Sequence, residues 1–126
     1  MEMTVLLSKI YSFDEAHRDV NPGVRTVTAL MGKGTGNDRM AAMIVEYEPG
    51  VEPGGIHYHE GRESAYIALE GSATIRLNGE EREIKAGTVV NIAPGDAHGY
   101  VKIGADGFRM IEVYAPLDPD MIYVDE

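Results

Sequence analysis

The chain contains no cysteine, which excludes disulfide bonds, thiolate metal ligands and cysteine nucleophiles together. Basic residues are also scarce, since 11 lysines and arginines stand against 21 aspartates and glutamates, for a formal net charge of −10. They are scattered without a run, so we expect neither a nucleic-acid partner nor adsorption to an anionic membrane. No apolar run approaches a membrane span, and the N-terminal apolar run is too short for a signal peptide. We therefore expect a soluble, cytoplasmic protein.

What is present is the composition of a folded β domain. Apolar residues make up 44% of the 126 residues, enough for one domain with a real core. Turn-forming pairs such as Pro49-Gly50 and Pro94-Gly95 recur roughly every eight to twelve residues, with β-branched and aromatic runs between them. This spacing is typical of an all-β sandwich or barrel.

The clearest local prediction is a β-hairpin. Its strands are "ATIRL" and "EEREI", and Asn78-Gly79 lies between them. Asn-Gly supplies the two residues of positive φ that a type I′ turn requires. The segments "TVVNIAP" and "FRMIEVYAP" predict two further strands, and no segment predicts a long amphipathic helix.

Two of the four histidines, His57 and His59, lie one residue apart in "GGIHYHEGRE". On a β-strand alternate side chains share a face, so both imidazoles would point the same way and Tyr58 the opposite way. Two imidazoles on an apolar face are unfavourable unless their nitrogens are bound, and a metal ion is the commonest partner. A solvated surface strand would show the same spacing, so this pair alone leaves both interpretations open.

A third histidine and a carboxylate extend the pair to a candidate metal site. His98 lies in "APGDAHGY", and Glu63 stands four positions after His59. Three imidazoles and a carboxylate suit iron, zinc, copper, nickel or manganese. Four protein ligands leave positions open on an octahedral ion, which is typical of a catalytic site. His17 has no partner pattern and is predicted to be a surface residue.

These residues lie in two stretches that resemble the two motifs of the cupin superfamily. Residues 50–71 are similar to the first motif, His-x-His followed by glutamate and glycine, and residues 87–102 to the second, Pro-x-Gly followed by histidine. The resemblance implies that His57, His59, Glu63 and His98 hold one divalent ion, namely Fe, Mn, Zn or Ni. It also implies one all-β domain over residues 1–126, a double-stranded β-helix (jelly-roll) barrel with the site inside.

The sequence departs from this pattern in three places. Seven residues rather than six separate Glu63 from Gly71, which predicts a β-bulge or shifted register near Tyr66. Ala93 and Lys102 replace a proline and an asparagine of the second motif. None of these differences removes a ligand.

A regular strand over "ESAYIAL" would place Glu63 on one face with Ala65, Ile67 and Leu69. Its carboxylate would then enter an apolar interior, where an unpaired charge is unfavourable and a metal ion would neutralise it. We therefore expect Glu63 to point inward.

Other side chains are candidates for the wall of the site. Tyr100 and Lys102 lie two and four residues after His98, so on a strand their side chains would be on the same face as His98. For Lys102, a solvated strand end is the simpler interpretation. Arg39 and Arg109 are candidates for holding an anionic substrate, against the surface position usual for arginine. The remaining candidates are Tyr47, Glu112 and Tyr114, with three methionines that are more often core residues, Met31, Met43 and Met110.

The resemblance implies a metal-dependent enzyme that acts on a small oxygenated molecule as a dioxygenase, isomerase, lyase or decarboxylase. The layout of the chain, with "EVYAPLDPDM" near its end, resembles that of small single-domain cupins that act on sugar acids. The fold does not fix the reaction. The alternative is a non-catalytic cupin module that binds a small ligand or a metal. The barrel uses nearly the whole chain, so we expect no attached DNA-binding domain. We also expect a homodimer, with an N-terminal strand within about residues 1–30 at the contact.

Overall fold

The computed structural model describes residues 7–117 and 120–124, and antiparallel strands dominate it. In chain order the strands are β1 (His17–Asn21), β2 (Arg25–Met31), β3 (Ala41–Tyr47), β4 (His57–Tyr58), β5 (Glu63–Leu77), β6 (Glu80–Lys85), β7 (Val89–Ile92), β8 (His98–Ala115) and β9 (Ile122–Tyr123). The described part of the chain also contains two 3-10 turns, η1 (Phe13–Glu15) and η2 (Lys33–Thr35). Among the described residues no helix is long and apolar enough to cross a membrane.

Two long strands, β5 and β8, form the frame of the fold. They pair antiparallel from Glu63 opposite Ala115 to Leu77 opposite His98. One half of this pair is flanked by β7 and by β3, which continues to β2 and β1; the other half is flanked by β6 and by β4. Two sheets thus share the same two strands. The predicted all-β double-stranded β-helix is confirmed.

The predicted hairpin is present, and it supports the start of β8. β5 and β6 pair on either side of Asn78 and Gly79, whose φ angles are +51° and +82°. The Asn78 N–H donates to the carbonyl oxygen of Ala97 at 2.8 Å, and the Ala97 N–H donates to the Asn78 side-chain oxygen at 3.2 Å. The turn therefore holds the residue that precedes His98.

A bulge interrupts β5 at Leu69. Ala68 lies opposite Met110 and Glu70 opposite Arg109, two consecutive residues of β8, so Leu69 has no partner in this pairing. A bulge is thus present in this strand as predicted, but it lies at Leu69, three residues beyond the expected position near Tyr66. An extra residue in one strand shifts the alternation of its side chains by one position.

The bulge reverses the face that a regular strand would give Glu63. After the bulge, Ala73 and Ile75 point inward and are 1% and 4% exposed. Before it, the buried residues of β5 are Ser64, Tyr66 and Ala68. Glu63 is exposed, and Ile67 on the same outer face is 36% exposed. The expectation that Glu63 enters the interior is therefore wrong, because it assumed a regular strand.

Gly71, two residues after the bulge, is required by a close approach of two backbones. Its φ is +77°, and a Cβ at this position would lie 2.0 Å from the carbonyl oxygen of Gly107. No other residue combines this φ with this approach at low cost. The glycine of the first motif thus lets β5 cross close to β8.

The hydrophobic core fills the space between the two sheets. It consists of aliphatic and aromatic side chains: Val45, Tyr66, Ala68, Ala73, Ile75, Ile84, Val90, Ile92, Tyr100, Ile103, Phe108 and Met110. The Tyr66 and Tyr100 rings stack with centroids 5.5 Å apart, and the Tyr66 ring lies 5.9 Å from that of His98. The two tyrosines therefore form the boundary between the core and the histidines.

Within residues 1–30, the segment "TVLLSKIYSF" (residues 4–13) is the one expected to form the N-terminal contact strand. Residues 4–6 of this segment lie outside the described part, and residues 7–12 form no strand. Leu7 and Ile10 are 68% and 103% exposed. The homodimer contact through this segment stays a prediction.

Candidate metal centre

The structure brings three of the predicted ligands together. One ligand nitrogen each from His57, His59 and His98 lies within 4.8 Å of the others. His57 is paired with His98 across β4 and β8, and their ring centroids are 4.5 Å apart. The centroid of His59 is 5.1 Å from that of His57 and 5.7 Å from that of His98.

Backbone carbonyl groups orient all three rings. Because a carbonyl oxygen can only accept, each neutral imidazole carries its proton on Nδ1 and leaves the lone pair on Nε2. This is the arrangement by which proteins fix the tautomer of metal-binding histidines. Each Nδ1–H donates to one carbonyl oxygen: His57 to Gly55 at 2.9 Å, His98 to Asp96 at 2.9 Å, and His59 to Asp120.

His98 gives the strongest sign that the cluster fits a metal ion. Its side chain is 0% exposed, and its buried Nε2 has no hydrogen-bond partner among the described residues. A buried nitrogen without a partner costs the fold about 1–3 kcal/mol. Three neutral imidazoles are also a donor set that iron, zinc and nickel accept. The residues present therefore fit a divalent transition metal.

Burial keeps two of these histidines neutral at physiological pH. It lowers the pKa of His98 to about 4, against the smaller opposing effect of the hydrogen bond to the Asp96 carbonyl. It also lowers the pKa of His59, and the hydrogen bond to Asp120 opposes that shift. Only neutral imidazole binds a metal, so these two side chains are in the form that an ion requires.

Glu63 lies outside this cluster. It is exposed on the outer face of β5, opposite Ala115, and it does not belong to the group of convergent ligands among the described residues. The inward position next to it is Ser64, which is 5% exposed. Six residues separate Ser64 from Gly71, which is the spacing of the cupin motif. The seven-residue gap after Glu63 was the sequence signal for this shift.

A cavity of about 420 Å³ opens beside the histidines. Of the wall residues predicted from sequence, Tyr47, Tyr100, Met110 and Glu112 line it. Sequence reasoning missed two arginines of the lining, Arg25 and Arg62, and also Tyr66. The sequence signal for Tyr66 was again the seven-residue gap between Glu63 and Gly71. This gap indicates that Ser64, and with it Tyr66 two residues later, faces inward in place of Glu63.

The two arginines proposed from sequence lie elsewhere. Arg109 points to the outer face, where its Nε lies 2.9 Å from Glu46 Oε1 and its Nη1 4.0 Å from a Glu70 oxygen. Arg39 is exposed in the segment before β3. Neither lines the cavity, so both have the surface position that is usual for arginine, and the alternative of holding an anionic substrate in this cavity does not apply to them.

The other candidates have ordinary positions. Lys102 and His17 are exposed, as the simpler interpretations expected. Met31, Met43 and Tyr114 line a second cavity of about 740 Å³, between the N-terminal segment and the β2–β3 sheet. None of the three clustered histidines lines that second cavity.

One carboxylate, Glu112, lies in the wall of the histidine cavity. It sits on β8 with Met43 of β3 and Tyr66 of β5 as its register partners. Burial raises the pKa of Glu112, while the positive charges of Arg62 and Arg25 lower it to a smaller extent. Its carboxyl therefore holds a proton more readily than an exposed glutamate does.

Aromatic contacts hold the remaining wall in place. The Tyr100 hydroxyl donates to the Met110 sulfur at 2.9 Å, and the Tyr47 ring meets the Tyr100 ring edge-on at 5.8 Å. The Arg62 guanidinium lies over the Tyr114 ring, with its carbon 3.8 Å from the centroid. Burial raises the pKa of Tyr66 and Tyr100, so their phenols stay neutral. The wall is therefore mostly aromatic, and its rings are held by contacts with their neighbours.

Comparison with known families agrees with this architecture. The model of the cupin domain family matches residues 43–114, more than half of the chain. The chain belongs to the cupin family.

Three similar proteins illustrate how widely this barrel is used. The polyketide cyclase RemF from Streptomyces resistomycificus has a TM-score of 0.78 at 26% identity, over 95% of this chain and 87% of RemF. KdgF from Halomonas sp. has a TM-score of 0.74 at 21% identity, over 90% and 98%. The HTH-type transcriptional regulator PuuR of Escherichia coli (strain K12) is 29% identical over 87 residues, which is 69% of this chain and 46% of PuuR. The chain thus matches about half the length of this curated relative.

Proposed function

We propose that this cupin is a metal-dependent enzyme acting on a small oxygenated molecule, with the ion held by His57, His59 and His98. The observation that carries the proposal is the orphaned Nε2 of His98, which is buried beside two further imidazoles whose tautomers backbone carbonyls fix. A divalent Fe, Mn, Zn or Ni ion would supply Lewis-acid polarisation of a substrate oxygen.

The protein's own residues supply the rest of the site. A cavity of about 420 Å³ lies within the range of small-molecule sites. The rings of Tyr47, Tyr66 and Tyr100 form an apolar wall that limits the water around a bound substrate. The absence of Glu63 from the cluster leaves three protein ligands, and hence more open positions than a four-ligand site would have.

Glu112 is the proton-transferring group in this proposal. It lines the same cavity, and its raised pKa brings it closer to the range in which a carboxyl both accepts and releases a proton. Isomerases, lyases and decarboxylases each add or remove a proton at carbon. An internal acid–base group therefore favours these three reaction types over a dioxygenase.

A non-catalytic module that binds a small ligand is the second candidate. The similarity to PuuR favours it, because the matched part of that transcriptional regulator covers most of the present chain. In this alternative the cavity binds its ligand without turnover, and Glu112 contributes to affinity only. The cytoplasmic location and the homodimer stay predictions in both cases.

Turnover by metal-loaded protein separates the two candidates. We expect the wild type to convert a member of a panel of sugar acids, keto acids and catechols, and Glu112→Gln to lose most of that activity while keeping its metal. Glu63→Gln is the matched control, because it removes a carboxylate of equal size from the outer face. Equal loss in both variants would contradict the role of Glu112. No turnover of any panel member by the loaded wild type would favour the binding module.

A further inference from the structure

We propose that Arg25 receives a carboxylate of the substrate, so that the substrate is a small carboxylic acid with one end at the histidines and the other at Arg25. The inference rests on the proposed function, because it assigns the substrate class of the same cavity. Neither the sequence reasoning nor the similarity to other cupins points to Arg25.

The position of Arg25 suits this role. It begins β2, is paired in register with Tyr47 of β3, and lines the histidine cavity while remaining exposed at its mouth. The ring of Tyr47 contacts that of Tyr100, which stacks on Tyr66 beside His98. The aromatic wall therefore runs from the arginine to the metal centre, and a ligand lying along it reaches both.

Arg25 also differs from the other arginines with assigned contacts. Arg76, Arg82 and Arg109 each have a glutamate oxygen within 4.0 Å, and these pairs lie outside the cavity. Among the described residues no carboxylate lies within that distance of Arg25. Glu112 acts on it only through space, since the charge of Arg25 lowers the pKa of that carboxyl. The Arg25 side chain does donate a hydrogen bond to Tyr47, but a guanidinium has five N–H groups and so keeps donors for a ligand.

The charge of the cavity favours an anion although the chain carries a net charge of −10. The ionisable side chains of its lining, besides histidine and tyrosine, are two arginines and one glutamate. Three neutral imidazoles leave the charge of a divalent ion uncompensated, because Glu63 lies outside. A positive, partly desolvated cavity attracts a carboxylate, and the planar guanidinium binds it through two parallel hydrogen bonds.

A matched pair of ligands tests the inference. Glucuronate and glucose share one skeleton and differ in a carboxylate, so calorimetric titration of the metal-loaded protein with each isolates the contribution of that group. We expect glucuronate to bind at least tenfold more tightly than glucose. Arg25→Gln should reduce this ratio to near one, and Arg25→Lys should restore part of it. A purely structural role would change both affinities together and leave the ratio unaltered.

Two controls separate this inference from the proposed function. Arg39→Gln removes an exposed arginine outside the cavity and should leave the ratio unchanged. Metal content, measured on every variant, should not change. If the wild type binds no metal, the proposed function is contradicted. The ratio of its affinities for glucuronate and glucose, measured on the metal-free protein, still tests Arg25. A ratio of one in the wild type, or one that persists in Arg25→Gln, would overturn the inference. So would tighter binding of glucose 6-phosphate than of glucuronate, which would assign the arginine to phosphate.

Discussion

Acidification of the metal-free protein should destabilise it through His98 by about 3 kcal/mol between pH 7 and pH 4. Burial lowers the pKa of this imidazole from 6.5 to about 4 in the folded protein, and each pKa unit corresponds to about 1.4 kcal/mol. Below pH 6.5 the unfolded chain binds a proton that folded His98 does not accept until about pH 4. The unfolded state therefore gains protons first, and stability that is complete above pH 6.5 is lost as the pH falls towards 4.

Urea unfolding at a series of pH values, followed by circular dichroism, measures this effect. Because many carboxylates also titrate in acid, the informative quantity is the free energy of unfolding of the wild type minus that of His98→Gln at each pH. The glutamine cannot titrate, so this difference should shrink by about 3 kcal/mol from pH 7 to pH 4. His17→Gln, which changes an exposed histidine outside the cluster, is the matched control. A difference that is constant with pH would show that His98 is not a buried neutral imidazole.

The remaining predictions concern the metal, the frame of the fold and the assembly. Zinc at about 100 times its Kd should raise the free energy of unfolding by about 2.7 kcal/mol, EDTA should reverse this, and His59→Ala should abolish the response; a response retained by His59→Ala would contradict the assignment. Gly71→Ala should lower the melting temperature far more than Gly87→Ala, since a Cβ meets a carbonyl oxygen at 2.0 Å in the first case and nothing within 4 Å in the second; equal effects would contradict the close approach. Light scattering at micromolar concentration should give the mass of a homodimer, and a monomer mass would count against that prediction.

Local sequence patterns were sufficient for the hairpin and for the three histidines. The turn at Asn78-Gly79 depends on the backbone preferences of two adjacent residues. His57 and His59 share a face because of a two-residue period, and the resemblance to cupins supplied His98. These features need no knowledge of which strands become neighbours.

The position of Glu63 and the role proposed for Arg25 depend on long-range pairing instead. The bulge at Leu69 changes the register of β5 against β8 just before the close approach between Gly71 and Gly107. That contact joins residues far apart in the chain, so the alternation within "ESAYIAL" could not reveal it. Arg25 likewise reaches the cavity only because β2 pairs with β3.

We propose that three histidines, without Glu63, hold one metal ion. Elemental analysis of protein reconstituted in iron, manganese, zinc and nickel tests it most directly, with wild type, His59→Ala and Glu63→Gln prepared in parallel. We expect about one ion per chain in the wild type and in Glu63→Gln, and almost none in His59→Ala. A wild type that carries no metal, or a Glu63→Gln variant that loses it, would contradict a site of three histidines.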